Sequence, residues 1–305
     1  MWDALASGSA LLGSTAAQSG IAQKRTIHVA SNAYSWQVYL AREGRDFQGD
    51  LASGLRMVRE SGSDGLEPLL TSVEDAKRMG EALRSQGLEM RSAYVNTTLH
   101  TEQAVGQSIR DVLAIAQEAR KHGTRIIVTN PVPVQWGGSE DKSDAQLRVQ
   151  ADALNTLGRE LRGLGMTLAY HNHDSELRQA ARELHHMMVG TDPRAVKLCL
   201  DAHWIYRGAG NSQVALQDFV TLYGKRIIEV HVRQSSGGTW SETFGVGDID
   251  YARLVAMLRG LRLRPHIVVE QAVEAGTAHT MDALAAMRLS IERVRTLFTV
   301  TSDGQ

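Results

Sequence analysis

From residue 26 onward, short apolar runs rich in β-branched residues alternate with longer stretches of helical period. The runs lie at 26–30, 65–69, 90–95, 125–129, 166–170, 196–200, 227–232 and 265–270. The stretches of helical period lie at 51–61, 73–86, 104–122, 144–163, 176–188, 213–224, 251–258 and 281–298. Strand and helix in strict alternation place the strands parallel, because a parallel pair needs a crossover and a helix supplies it. Thr71 and Ser72 are suited to cap the second helix, and Gly87, Gly123, Gly163 and Gly165 punctuate helix ends before strands. Eight such units, with no GxGxxG after the first strand, favour a closed α/β fold, the (β/α)8 TIM barrel, over an open doubly wound sheet. No linker or low-complexity block interrupts 25–305, which reads as a single domain.

Residues 1–24 stand outside that pattern. They are rich in Ala, Ser and Gly and lack a basic start, so they read as an N-terminal tail or a degenerate export signal. The two readings imply a cytoplasmic and a periplasmic protein respectively. No apolar stretch is long enough to span a bilayer. The formal net charge is -1, so no global basic field draws the chain to nucleic acid. The single cysteine, Cys199, excludes both an intramolecular disulfide and a thiolate zinc cluster. The sequence leaves self-association into a homo-oligomer open.

Polar side chains end four consecutive strand-like runs. Leu168-Ala169-Tyr170 leads to His171, Leu198-Cys199-Leu200 to Asp201, Ile228-Glu229-Val230 to His231, and Ile267-Val268-Val269 to Glu270. In a parallel barrel these groups meet at the C-terminal end of the strands, where active sites of this fold lie. Imidazole nitrogen with carboxylate oxygen is a ligand set for one divalent metal ion; Mn2+, Mg2+, Co2+ and Zn2+ all accept it. His171, Asp201, His231 and Glu270 are the candidate ligands. Period-two alternation puts Glu229, His231 and Arg233 on one side of their strand, so Arg233 reaches over the site. His173 is a candidate base. Glu176 reads as either a catalytic carboxylate or a helix-start acid. His28, Glu67, Trp136 and Trp204 are candidates for binding substrate, and Trp36 and Trp240 also fall in expected loops after strands, where aromatic rings wall a sugar site or anchor a loop.

These residues resemble those of the xylose isomerase-like barrel superfamily. That group includes sugar phosphate isomerase/epimerases, ketose 3-epimerases, inosose dehydratases and endonuclease-IV-type enzymes. The resemblance rests on Leu168-Ala169-Tyr170-His171-Asn172-His173, Leu200-Asp201-Ala202-His203-Trp204, Val230-His231-Val232-Arg233, the Gly245–Tyr251 segment and Val268-Val269-Glu270-Gln271. It implies a divalent ion, often manganese, held by Glu, Asp, His and Glu at the ends of strands five to eight. Asp201, His231 and Glu270 match the last three. No glutamate stands at the first position. His171 aligns there, as in the YHNH subgroup, with His173 or Glu176 as the other ways to complete the shell. The implied activity is proton abstraction next to a carbonyl of a sugar or keto-sugar, through an enediolate, by an isomerase/epimerase or a lyase. A catalytic Glu270 shared with the metal set belongs to that expectation. The alternatives are a metal-dependent hydrolase of endonuclease-IV type and a catalytically idle carbohydrate-binding barrel.

Overall fold

The computed structural model describes residues 27–299. The N-terminal segment read as a tail or export signal lies outside the described residues. In chain order the elements are β1 (Val29–Asn32), α1 (Ala33–Arg42), α2 (Leu51–Glu60), β2 (Gly65–Glu67), α3 (Val73–Ser85), β3 (Ser92–Tyr94) and α4 (Glu102–Lys121). They continue with β4 (Ile126–Thr129), α5 (Asp144–Gly163), β5 (Thr167–His171), α6 (Arg178–Gly190), β6 (Val196–Asp201), α7 (Ala202–Gly208) and α8 (Gln213–Tyr223). Then come β7 (Ile227–Val232), a two-stranded hairpin of β8 (Ser235–Ser236) and β9 (Thr239–Trp240), α9 (Tyr251–Gly260), β10 (His266–Val269) and α10 (Ala283–Phe298). Among the described residues no helix is long and apolar enough to cross a membrane.

Eight parallel strands run in the order β2-β1-β10-β7-β6-β5-β4-β3. Isolated parallel bridges, Gly65 to Glu89 and Leu69 to Tyr94, join the two outer strands and nearly close the sheet into a barrel. All eight expected strands are present. β1 begins at Val29, about three residues later than its apolar run suggested. Helix ends follow local chemistry. Ser143 and Gln146 form a capping box on α5, and Ser72 caps α3 through the amide of Asp75. Gly87, Gly123 and Gly165 take the left-handed conformation after their helices, whereas Gly163 stays inside α5.

Most of the apolar core lies between the strands and the surrounding helices, where Leu55, Leu83, Leu154, Leu184, Val230 and Met287 are buried. The barrel interior is different. Its small apolar cluster is Val128, Ala169 and Cys199, flanked by Tyr94, Ile126 and Ile228. Above and below that cluster the interior is polar, with Glu67, His171, Asp201, Glu229 and His231 fully buried. Buried polar groups cost stability unless partnered, so such a core exists only where a network or a ligand satisfies it.

Candidate metal centre and active site

The last inward positions of β5, β6, β7 and β10 converge. Asp201 and His231 are register partners across β6 and β7, and His231 sits beside Val268 of β10, two residues below Glu270. One ligand atom from each of His171, Asp201, His231 and Glu270 falls within 4.8 Å of the other three. The His171 Nε2 is 3.7 Å from Asp201 Oδ2 and 3.9 Å from Glu270 Oε2. The His231 Nδ1 is 2.8 Å from the same Glu270 oxygen. Neither His171 Nε2 nor Asp201 Oδ2 has a hydrogen-bond partner, although both are buried.

The protonation tendencies differ within the cluster: His231 stands well above the usual imidazole range, burial opposing this and the neighbouring Cys199, Glu67 and Glu229 outweighing it. Burial pushes the Asp201 carboxyl up to about 7, against the pull of Arg233 and with Glu270 adding to the push. Burial holds the His171 imidazole down at about 3, the neutral form a metal ligand needs. The donor set fits a divalent cation: two imidazoles and two carboxylates with one atom each close together, two of those atoms, on His171 and Asp201, without partners.

Neighbours hold these side chains in place. Asp201 ends β6 and caps α7, its Oδ1 accepting from the Trp204 amide at 2.9 Å, which leaves Oδ2 for the centre. The Asn172 amide exchanges two 3.1 Å hydrogen bonds with the Asp201 backbone and so ties the ends of β5 and β6 together. His231 turns Nε2 downward, 3.1 Å from both Glu229 Oε1 and Glu67 Oε1. Carboxylates on that nitrogen fix the ring so that Nδ1 faces the cluster. Burial and the neighbouring Glu229 together raise the Glu67 carboxyl to about 7, against the pull of His231. Glu229 stays well below the usual carboxylate range: burial opposes this, but hydrogen bonds from His231 and His266 outweigh it.

Arg233 lies over the cluster. Its Nη2 is 3.1 Å from Glu270 Oε1 and its Nε donates to the Glu270 carbonyl at 2.9 Å, while Nη1 is buried without a partner. The guanidinium stacks 4.1 Å from the Trp240 ring and 5.3 Å from Trp204. The His173 ring packs 4.8 Å from His171, between Trp136 and Trp204, and its Nδ1 is unpartnered. Burial holds His173 down at about 4, Glu270 opposing and Arg233 adding, so the imidazole is neutral at neutral pH.

Several expectations need correction. His28 precedes β1 and lies at the N-terminal end of the strands, its ring 5.2 Å from that of His266. It shares its inward parity with Asn32, but four residues of strand, roughly 13 Å, separate the two heights. Glu176 is committed elsewhere: its Oε1 accepts from Asn130 Nδ2 at 3.0 Å and its Oε2 from the His173 amide at 2.7 Å, which shapes the loop after β5. Glu67 is buried under His231 rather than set at the open mouth. Trp36 belongs to α1 and the core, donating to Ser31 Oγ at 2.9 Å. Trp204 sits on α7, a helix that the sequence pattern did not show, and Trp240 on β9. Trp136 is loop-borne, 55% exposed and edge-on to His173.

Other residues at the site were not among the expected site residues. The Tyr94 hydroxyl lies 3.4 Å from His171 Nδ1. His203 is buried among Trp204, Tyr206 and Trp240 with neither ring nitrogen partnered. Glu229 was legible from alternation, since it points the same way as His231.

Comparison with known proteins agrees with this fold. The xylose isomerase-like TIM barrel family model matches residues 55–290. The chain belongs to this family. An inosose dehydratase of Halalkalibacterium halodurans is 28% identical over 254 residues, covering 73% of this chain and 80% of the relative. A sugar phosphate isomerase/epimerase of Parabacteroides distasonis superposes with a TM-score of 0.68 at 17% identity, covering 94% of this chain and 99% of the other. A xylose isomerase-like TIM barrel protein of Mycobacterium smegmatis, solved in complex with magnesium, superposes with a TM-score of 0.60 at 17% identity, covering 89% and 96%.

Proposed function

We propose that this protein is a divalent-metal-dependent lyase of the dehydratase type acting on a keto-sugar or related cyclic keto-polyol, with a sugar isomerase/epimerase as the second reading. The observation that carries it is the strand-five end, where the imidazole of His173 packs directly on that of His171 and keeps an unpartnered ring nitrogen. Glu176, the nearby carboxylate, has both oxygens occupied. Two opposed bases suit an epimerisation; one base suits a reaction on one face. The similarity to an inosose dehydratase supports the same choice, and the likeness to sugar isomerase/epimerase barrels supports the second reading only at the level of fold.

His171, Asp201, His231 and Glu270 would hold the cation. When bound, it supplies a fixed positive charge that acidifies the carbon next to a carbonyl. Trp136 and Trp204 flank His173 and offer apolar faces to a sugar ring. The free Nη1 of Arg233 donates to a substrate oxygen and favours negative charge developing there. Neutral His173 takes the proton from the carbon adjacent to the carbonyl and returns it to the hydroxyl leaving the next carbon. A C–H and a C–O bond break, a C=C bond forms, and water departs.

The test uses metal-loaded protein with a panel of keto-sugars and inososes in deuterium oxide. Loss of water from a substrate, read by mass spectrometry, supports the lyase. A stereoisomer carrying solvent deuterium transfers the assignment to the epimerase. Tight binding without exchange or product across the panel would overturn both.

A further inference from the structure

The far end of the barrel holds a cavity. It measures about 550 Å³ and is lined by His28, Glu89, Arg91, Arg125, Arg264 and His266 together with apolar residues. We propose that this cavity binds a phosphate group, as a site separate from the metal cluster. Three guanidinium groups and one carboxylate line it, with a second carboxylate, Glu229, behind it on His266 at 3.1 Å; arginines outnumber carboxylates on a chain whose net charge is -1. Arg91 uses its Nε for Glu89, 2.6 Å away. Arg125 donates from Nη1 to the carbonyls of Arg120 and Thr124. The remaining guanidinium nitrogens of both are left for a ligand, and Arg264 stands exposed at the rim.

The floor supplies an independent sign. The His28 side chain is 11% exposed and that of His266 8%. Both ring nitrogens of His28, and Nε2 of His266, are buried with no hydrogen-bond partner. The Glu89 carboxylate is 3.8 Å from His28, beyond hydrogen-bond reach. Burial, His266 and Arg91 together keep the His28 imidazole at about 4, so it stands neutral with an N–H to donate. A metal ion is a poor occupant, since three guanidinium groups repel it. A phosphate group suits the space because its oxygens accept from several directions at once, and arginine forks match them.

The experiment follows the histidine ring resonances of the full-length protein by NMR as inorganic phosphate is added to about 10 mM at constant ionic strength. His28→Gln and His266→Gln assign the signals. The expected result is saturable movement of the His28 and His266 resonances, weakened about tenfold or more in R264A or R91A. Both arginines are exposed, so these variants keep the fold. An Asp201→Asn variant retains the effect, because the phosphate is not at the metal cluster. A phosphate monoester titrated in parallel separates the sources: tighter binding than the free ion marks a phosphorylated metabolite, equal or weaker binding marks inorganic phosphate. No saturable shift, a shift undiminished in both arginine variants, or a shift lost with Asp201→Asn would overturn the proposal. None of these readings depends on turnover, so a failed keto-sugar assay leaves this one intact.

Discussion

The two ends of the barrel use similar residue types and arrive at different chemistry. At the C-terminal end, two histidines and two carboxylates bring single atoms within 4.8 Å of one another. At the N-terminal end, His28, His266 and three arginines are spread around a cavity of about 550 Å³. The first geometry suits a point charge, the second something larger. Glu229 stands between them, 3.1 Å from His231 Nε2 above and 3.1 Å from His266 Nδ1 below. The difference teaches that residue type alone does not make a metal site. Height along the strand does, because two residues of strand move an inward side chain by roughly 7 Å.

Replacing Asp201 or His231 by Ala has the largest expected effect: bound metal and turnover are both lost. Metal analysis of the purified variants checks this, and full metal content in both would erase the contrast between the two ends. His173→Asn comes next. It lowers kcat about 10²–10⁴-fold while metal content stays at the wild-type level. A fall in metal content instead would move His173 into the ligand set.

Glu229→Gln sharpens the comparison from below. It weakens metal affinity about 10–100-fold, measured by competition with a chelator, because His231 loses the carboxylate that orients it. Unchanged affinity would mean that Glu67 alone orients the ring. The smallest effect belongs to His28. Its folded-state value of about 4 lies below the ordinary 6.5, so between those pH values the unfolded chain takes up a proton that the folded one refuses. Stability contributed by neutral His28 is present above pH 6.5 and is lost as pH falls towards 4. His28→Gln should therefore flatten the fall in Tm across that window, and an unaltered slope would show that His28 has no part in it.

Much of the upper site was legible because period-two alternation and strand ends are local properties. The runs before His171, Asp201, His231 and Glu270 mark both the inward face and the last inward position, and those four side chains meet. The same reasoning misplaced His28, because the apolar run began before the hydrogen-bonded strand did, and parity without height could not tell one mouth from the other. Glu176 had the right type and neighbourhood, yet Asn130 from β4's end and the His173 amide occupy its oxygens. Trp36 and Trp204 were expected on loops because α1 and α7 directly follow strand ends and leave no turn signal.

By itself the sequence determined the eight alternating units, the parallel sheet that follows from them, and the inward identity of the polar strand ends. Those depend on periodicity and on local sterics. Only the tertiary structure decided which inward groups share a height, which carboxylates are already spoken for, and which nitrogens are left without partners. Those depend on distances between strands far apart in the chain, set when the barrel closes.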